Sequence, residues 1–272
     1  MIALDIGGTK VKYGIFDKEP PYFGQFDVSD YNGKEAVSES IAAFFKNHNT
    51  DCIGISVPGP FDYENGISLM KHKLTSLYGV NLRKILKNEF PGTKLFFIHD
   101  AHAFALGVME ENKNFLAGNF SCIMLGTGIG YINVEKGVPK LNDKGTPQNP
   151  LWNMPFKDGV AEDYVSTKAL LNSSKEKGFC FDNVKSMADE ARNGNKDLLG
   201  IFKSFGETLG ECTEIKRKEH CFTSVAIGGQ ISKSFDLLKP GFEKVTNVKM
   251  YVVKEPEKCP LYGLKRFWEM IK

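Results

Sequence analysis

Two stretches of this chain share one design, and together they limit what it can fold into. "IALDIGGTKVKYGIFD" (Ile2 to Asp17) is an alternating apolar segment, a Gly-Gly turn and a second alternating segment. "FSCIMLGTGIGYINVEKG" (Phe120 to Gly137) repeats the pattern around Gly126, Thr127, Gly128 and Gly130. In the first, Ile2, Leu4 and Ile6 fall on one strand face, and Val11, Tyr13 and Ile15 do so after the turn, which predicts a β-hairpin. Each hairpin is followed by helical patterns and buried strand-like runs such as "DCIGISVPGP", "TKLFFIHD" and "FTSVAIGGQIS". Strands alternating with helices predict α/β lobes, each with a mixed sheet. The repeat is far too long for a solenoid. "VAEDYVSTKALL" is predicted to be one helix and "LYGLKRFWEMI" the last one.

Charge excludes some functions. With 35 basic and 33 acidic residues, the net charge of +2 gives no strong field for nucleic acid or membrane. The one basic run, Glu214 to His220, ends a long helical pattern, where cations are favoured. No apolar run reaches the about 20 residues of a membrane span. Met1 leads straight into a strand-like segment, so no signal peptide is expected. The six cysteines form no CxxC pair, and reduced thiols in a cytoplasmic protein are expected.

The first turn carries more than turn chemistry requires. Gly7 and Gly8 let backbone N–H groups approach an anion closely, and Thr9 and Lys10 add a hydroxyl and a positive charge. Asp5, just before them, suits the hydrated Mg²⁺ that accompanies nucleotide phosphates. A hairpin with surface charges is the plain alternative. It is not a P-loop, because the glycines lead into a strand. Gly126, Thr127 and Gly128 stand at the matching place in the second half. Gly228 and Gly229 follow a buried strand, where a backbone can approach a nucleotide. Asp100 lies at the end of "LFFIHD"; it can be a helix N-cap or a base that takes a proton from a substrate hydroxyl.

In this order, "DIGGTK", "ISVPGPFD…NG", "HDAHAFALG", "LGTGIG" and "AIGGQIS" resemble the ROK family (repressors, open reading frames, kinases) over nearly the whole chain. The resemblance implies the two-lobed, actin-like, ribonuclease-H-like fold. It places the N-terminal lobe at residues 1–112 plus about 257–272, the C-terminal lobe at 113–256, and ATP and sugar in the cleft between them. It implies an ATP- and Mg²⁺-dependent sugar kinase, glucokinase-like, with Asp100 as catalytic base. Gly59, His99, Asp100, Asn153 and Glu162 are then sugar-facing, as is "KHKLTSLYGVNL". It further suggests a homodimer acting on a small-molecule sugar, without nucleic acid or membrane.

The departures from the family pattern define the open points. The family asparagine before the aspartate is His99 here, and the second asparagine of that motif is His102. Aligned on the following proline, "QNPLWNMP" puts Pro150 at the family's glutamate and Asn153 at its histidine. The cysteine-rich zinc loop is missing, so no structural zinc is expected. By strand alternation His99 should point away from Asp100, although a strand end can break that rule. These departures allow an altered sugar pocket, a non-catalytic sugar or nucleotide sensor, or a kinase of a non-sugar polyol or carboxylate.

Overall fold

The computed structural model describes residues 1–7, 10–28, 36–46, 48, 50–71 and 75–272. Along the chain it forms β1 (Ile2–Ile6), β2 (Lys10–Ile15), β3 (Tyr22–Asp27), α1 (Ala36–Phe45), β4 (Cys52–Val57), β5 (Phe61–Asp62), β6 (Ile67–Ser68), α2 (Leu82–Glu89), β7 (Lys94–His99) and α3 (Asp100–Glu111). Next come β8 (Phe120–Leu125), β9 (Ile129–Glu135), β10 (Val138–Pro139), β11 (Pro155–Phe156) and β12 (Gly159–Val160). The helices α4 (Ala161–Tyr164), α5 (Thr167–Glu176), α6 (Val184–Arg192) and α7 (Lys196–His220) follow. β13 (Ser224–Gly228), α8 (Phe235–Val245), β14 (Lys249–Val252) and α9 (Cys259–Ile271) complete the order.

These elements make two compact units, 1–113 with 141–147 and 257–272, and 114–140 with 148–256. Segment 141–147, which the sequence reading left in the second lobe, packs with the first unit.

The first unit holds a sheet in the order β3-β2-β1-β4-β7. β1 pairs antiparallel with β2, whereas β1–β4 and β4–β7 are parallel. The expected alternation is present: Ile2, Leu4, Ile6, Val11, Tyr13 and Ile15 enter one core with Val37, Ile41 and Phe45 of α1. Burying each such side chain is worth about 1.5–3 kcal/mol. α3 and α9 pack together at backbone contact. A Cβ on Gly107 would stand 1.9 Å from the Cys259 carbonyl oxygen, and one on Gly263 1.7 Å from that of Ala103. Only glycine permits this approach.

The second unit repeats the topology, β10-β9-β8-β13-β14, again with an antiparallel hairpin and two parallel neighbours. Its core joins Ile123, Leu125, Ile129 and Tyr131 to Leu198, Phe202 and Leu209 of α7 and Phe242 of α8. The basic run ends α7 as expected, with Arg217, Lys218 and His220 in its last turn and Arg217 paired to Glu214 at 2.7 Å.

One expectation is corrected. "VAEDYVSTKALL" is two helices, because Val165 leaves helical geometry and Ser166 caps α5 by accepting from the Ala169 N–H. A serine hydroxyl competes for backbone donors and so starts a helix better than it continues one.

Candidate functional site

In the first unit the candidate residues gather where β1, β4 and β7 end and α3 begins. The β1–β2 hairpin is closed by the Gly7 N–H donating to the Lys10 carbonyl at 3.0 Å. Gly8 and Thr9 lie outside the described residues. Lys10 reaches sideways along the sheet, its Nζ 3.8 Å from Asp27 Oδ1. Asp5 sits on the strand before the turn. Ser56 donates its hydroxyl to Asp5 Oδ1 at 2.7 Å, and Lys12, directly across the hairpin, brings Nζ to 4.0 Å from Oδ2.

Burial pushes the Asp5 carboxyl above the usual carboxylate range. Lys12 and Ser56 pull it back, and the charge of Asp100 pushes it further up. Two carboxylates that raise one another's cost of ionisation suit a site completed by a cation. Among the described residues no group of three or more His, Cys, Asp or Glu could hold a metal ion. Mg²⁺ needs no such cage, since it keeps most of its waters and takes one or two carboxylates. Asp5 therefore fits a hydrated ion.

Asp100 is the first residue of α3 and His99 its N-cap, so the cap lies one position earlier than the sequence alternative placed it. A carboxylate in the first helical turn is favoured by the helix dipole. Asp100 Oδ1 accepts from the Ala101 N–H at 2.7 Å and lies 2.7 Å from His99 Nδ1. Strand alternation would send His99 away from Asp100. The chain leaves the strand at this point, and the two side chains meet. Beyond the ring, a Cβ on Gly59 would lie 3.5 Å from His99 Cδ2, 3.5 Å from the Tyr63 hydroxyl and 3.1 Å from the Thr146 methyl. Tyr63 donates its hydroxyl to the Val57 carbonyl at 3.1 Å. Burial, then the charge of Asp100, pushes its phenol upward. His102 lies on α3 against the edge of Phe267, and burial pushes its imidazole down to about 4; it is a packed histidine. Of "KHKLTSLYGVNL", residues 72–74 lie outside the described residues, and Asn81 caps α2 by accepting from the Lys84 N–H.

In the second unit, the two remaining glycine sites adjoin each other. The Gly126 N–H donates to the Gly128 carbonyl at 3.0 Å, and Thr127 is exposed at the tip. The Gly126 carbonyl accepts from both the N–H and the hydroxyl of Thr167, each at 2.9 Å. Gly228 pairs with Met124 in the β13–β8 register. Gly229 has φ +85°, and a Cβ there would stand 2.2 Å from the Leu125 carbonyl oxygen. Both its conformation and its packing exclude a side chain. Glu162 is committed to the same turn: Oε2 accepts from the Ile129 N–H at 3.0 Å, in the space a Cβ on Gly128 would need. Asn153 is exposed nearby on a loop tied to α4, where the Glu162 N–H donates to the Trp152 carbonyl at 3.4 Å. Asn149 in that loop has φ +48°, a glycine-like conformation.

Five residues escaped the sequence reading: Lys12, Ser56, Tyr63, Thr146 and Thr167. Lys12 left a signal, since it shares a strand face with Lys10. Ser56, inside a wholly buried strand, left another. Thr146 comes from a segment distant in sequence and left none.

A family model described as "ROK family" matches residues 1–138. The glucokinase of Thermotoga maritima is 27% identical over 290 residues, covering 92% of this chain and 88% of that protein. A ROK family glucokinase from Streptomyces griseus, solved with glucose and AMPPNP, superposes with a TM-score of 0.78 at 18% identity, covering 97% of each chain. A ROK family transcriptional regulator, homologous to the Escherichia coli MLC protein, has a TM-score of 0.81 at 15% identity, covering 98% of this chain and 77% of the regulator. At such identities the solved structures establish the two-lobed actin-like fold.

Proposed function

This chain belongs to the ROK family, and from that premise we propose that it is an ATP-dependent sugar kinase that transfers the γ-phosphate to a hydroxyl of a hexose or hexose derivative. The observation that carries the proposal is Asp100: a carboxylate at the start of α3, in the electrostatic field of a half-buried Asp5.

Asp100 takes the proton of the substrate hydroxyl as that oxygen bonds to the γ-phosphorus, and the bond to the bridging oxygen breaks, releasing ADP. The turns at Gly7–Lys10 and Gly126–Gly128 bind phosphate through those backbone N–H groups that do not close the turns themselves. Gly228 and Gly229 leave room for the adenosine. Asp5 holds hydrated Mg²⁺, which supplies charge neutralisation at the phosphates when bound. Gly59, His99, Asn153 and Glu162 face the sugar. The glucokinase and N-acetyl-D-glucosamine kinase names of relatives support the hexose class.

Pro150 and Asn153 favour a second reading, a sugar or nucleotide sensor without phosphotransfer. The regulator with the same fold agrees with it. Asp100→Asn separates the two. A general base contributes about 10²- to 10⁴-fold, so the variant loses at least about a hundredfold in kcat while ATP still binds. Near-normal turnover in that variant removes Asp100 from the role, and no turnover in the unaltered protein on any sugar favours the sensor.

A further inference from the structure

We infer that His99 is a positioning residue for Asp100: its Nδ1–H donates to Asp100 Oδ1 and sets the orientation in which the carboxylate meets the substrate hydroxyl. This rests on the kinase reading of Asp100. The geometry fixes the tautomer. His99 Nδ1 lies 2.7 Å from Asp100 Oδ1, and as the N-cap it is also placed to accept from the Ala101 N–H at 3.1 Å. A neutral ring nitrogen either donates or accepts, not both. An unprotonated Nδ1 would set its lone pair against a carboxylate oxygen at contact distance. The proton therefore belongs on Nδ1, and the Ala101 N–H goes to Asp100 Oδ1, 2.7 Å away. Oδ1 then accepts two hydrogen bonds from groups whose own places are fixed by the β7–α3 junction. His99 is well covered, with 15% of its side chain exposed against 43% for Asp100. The oriented group is thus the more accessible one and the orienting group the more buried.

The tautomer has a consequence for binding. With Nδ1 protonated, Nε2 carries a lone pair. Its ring neighbour Cδ2 lies beside Gly59, where an added Cβ would stand 3.5 Å from it and would also meet Tyr63 and Thr146. His99 therefore offers an acceptor to a substrate hydroxyl, where an asparagine could offer only its short amide.

Two isosteres separate these roles. An asparagine amide nitrogen sits where Nδ1 sits, and a glutamine amide sits where Nε2 sits. His99→Asn is expected to raise the sugar KM and to lose less in kcat than His99→Gln does. His99→Gln is expected to lose about 10- to 100-fold in kcat, the usual cost of removing an orienting partner. Equal effects of the two variants, or an unchanged kcat in His99→Gln, overturn the inference. A second measurement needs no turnover. Long-range ¹H–¹⁵N correlation spectra of the neutral His99 ring should show the Nδ1-protonated tautomer in the unaltered protein and the Nε2-protonated one in Asp100→Ala. An Nε2-protonated ring in the unaltered protein overturns the pairing even if the protein is a kinase. An Nδ1-protonated ring without phosphotransfer upholds the pairing while the kinase reading fails.

Discussion

At the residue scale, the site pays for its chemistry in stability. Asp5 is half-buried, with its carboxyl pushed upward by desolvation and by Asp100. A folded-state value above the unfolded one means that stability falls as pH rises through that interval, so ionised Asp5 destabilises the unliganded fold near neutrality. Asp5→Asn is therefore expected to raise the thermal midpoint at neutral pH while abolishing Mg²⁺-dependent turnover; a lowered midpoint contradicts the reading. His102 has the opposite linkage. Burial holds it down at about 4 against an ordinary value of 6.5. The unfolded chain binds a proton through that window and the folded one does not. Stability is thus lost as pH falls from about 6.5 to 4, by up to roughly 3 kcal/mol. His102→Gln should flatten the pH dependence of chemical denaturation in that window. Both effects lie in how side chains meet in space, which neither spacing nor composition encodes.

At the element scale, two junctions deserve direct tests. Thr167 begins α5 and gives both its N–H and its hydroxyl to the Gly126 carbonyl. Thr167→Val keeps the first bond and loses the second, a cost of about 1 kcal/mol, and should raise the ATP KM with little change in fold. α9 rests on α3 through Gly107 and Gly263. Gly263→Val forces a backbone shift, and overpacking of this kind costs about 1–3 kcal/mol or more. Faster amide exchange confined to α3 and α9 would be the signature. The strands at this scale were readable from residues alone: Ile2, Leu4, Ile6 and Val11, Tyr13, Ile15 alternate as the register requires. The helix break at Ser166 was not read, because an apolar period runs through it and masks a serine that caps the Ala169 N–H. The orientation of His99 was left open between the two faces for a related reason, since strand alternation stops holding at the residue where the strand becomes a helix.

At the scale of the whole molecule, the duplicated hairpin proved the most informative feature, because it recurs as two sheets of one topology. Segment 141–147 is the part that the sequence concealed. It packs with the first unit through Gly145 and Thr146, against Tyr63 and Gly59, and no local pattern announces a partner so far along the chain. The measurement that bears most directly on the central claim is phosphotransfer itself: ADP release from Mg²⁺-ATP, followed over a panel of hexoses, hexosamines and N-acetyl sugars, with the unaltered protein beside Asp100→Asn. Sugar-dependent ADP release that falls at least about a hundredfold in the variant is the predicted result. Saturable sugar binding with no ADP release on any member of the panel would contradict it.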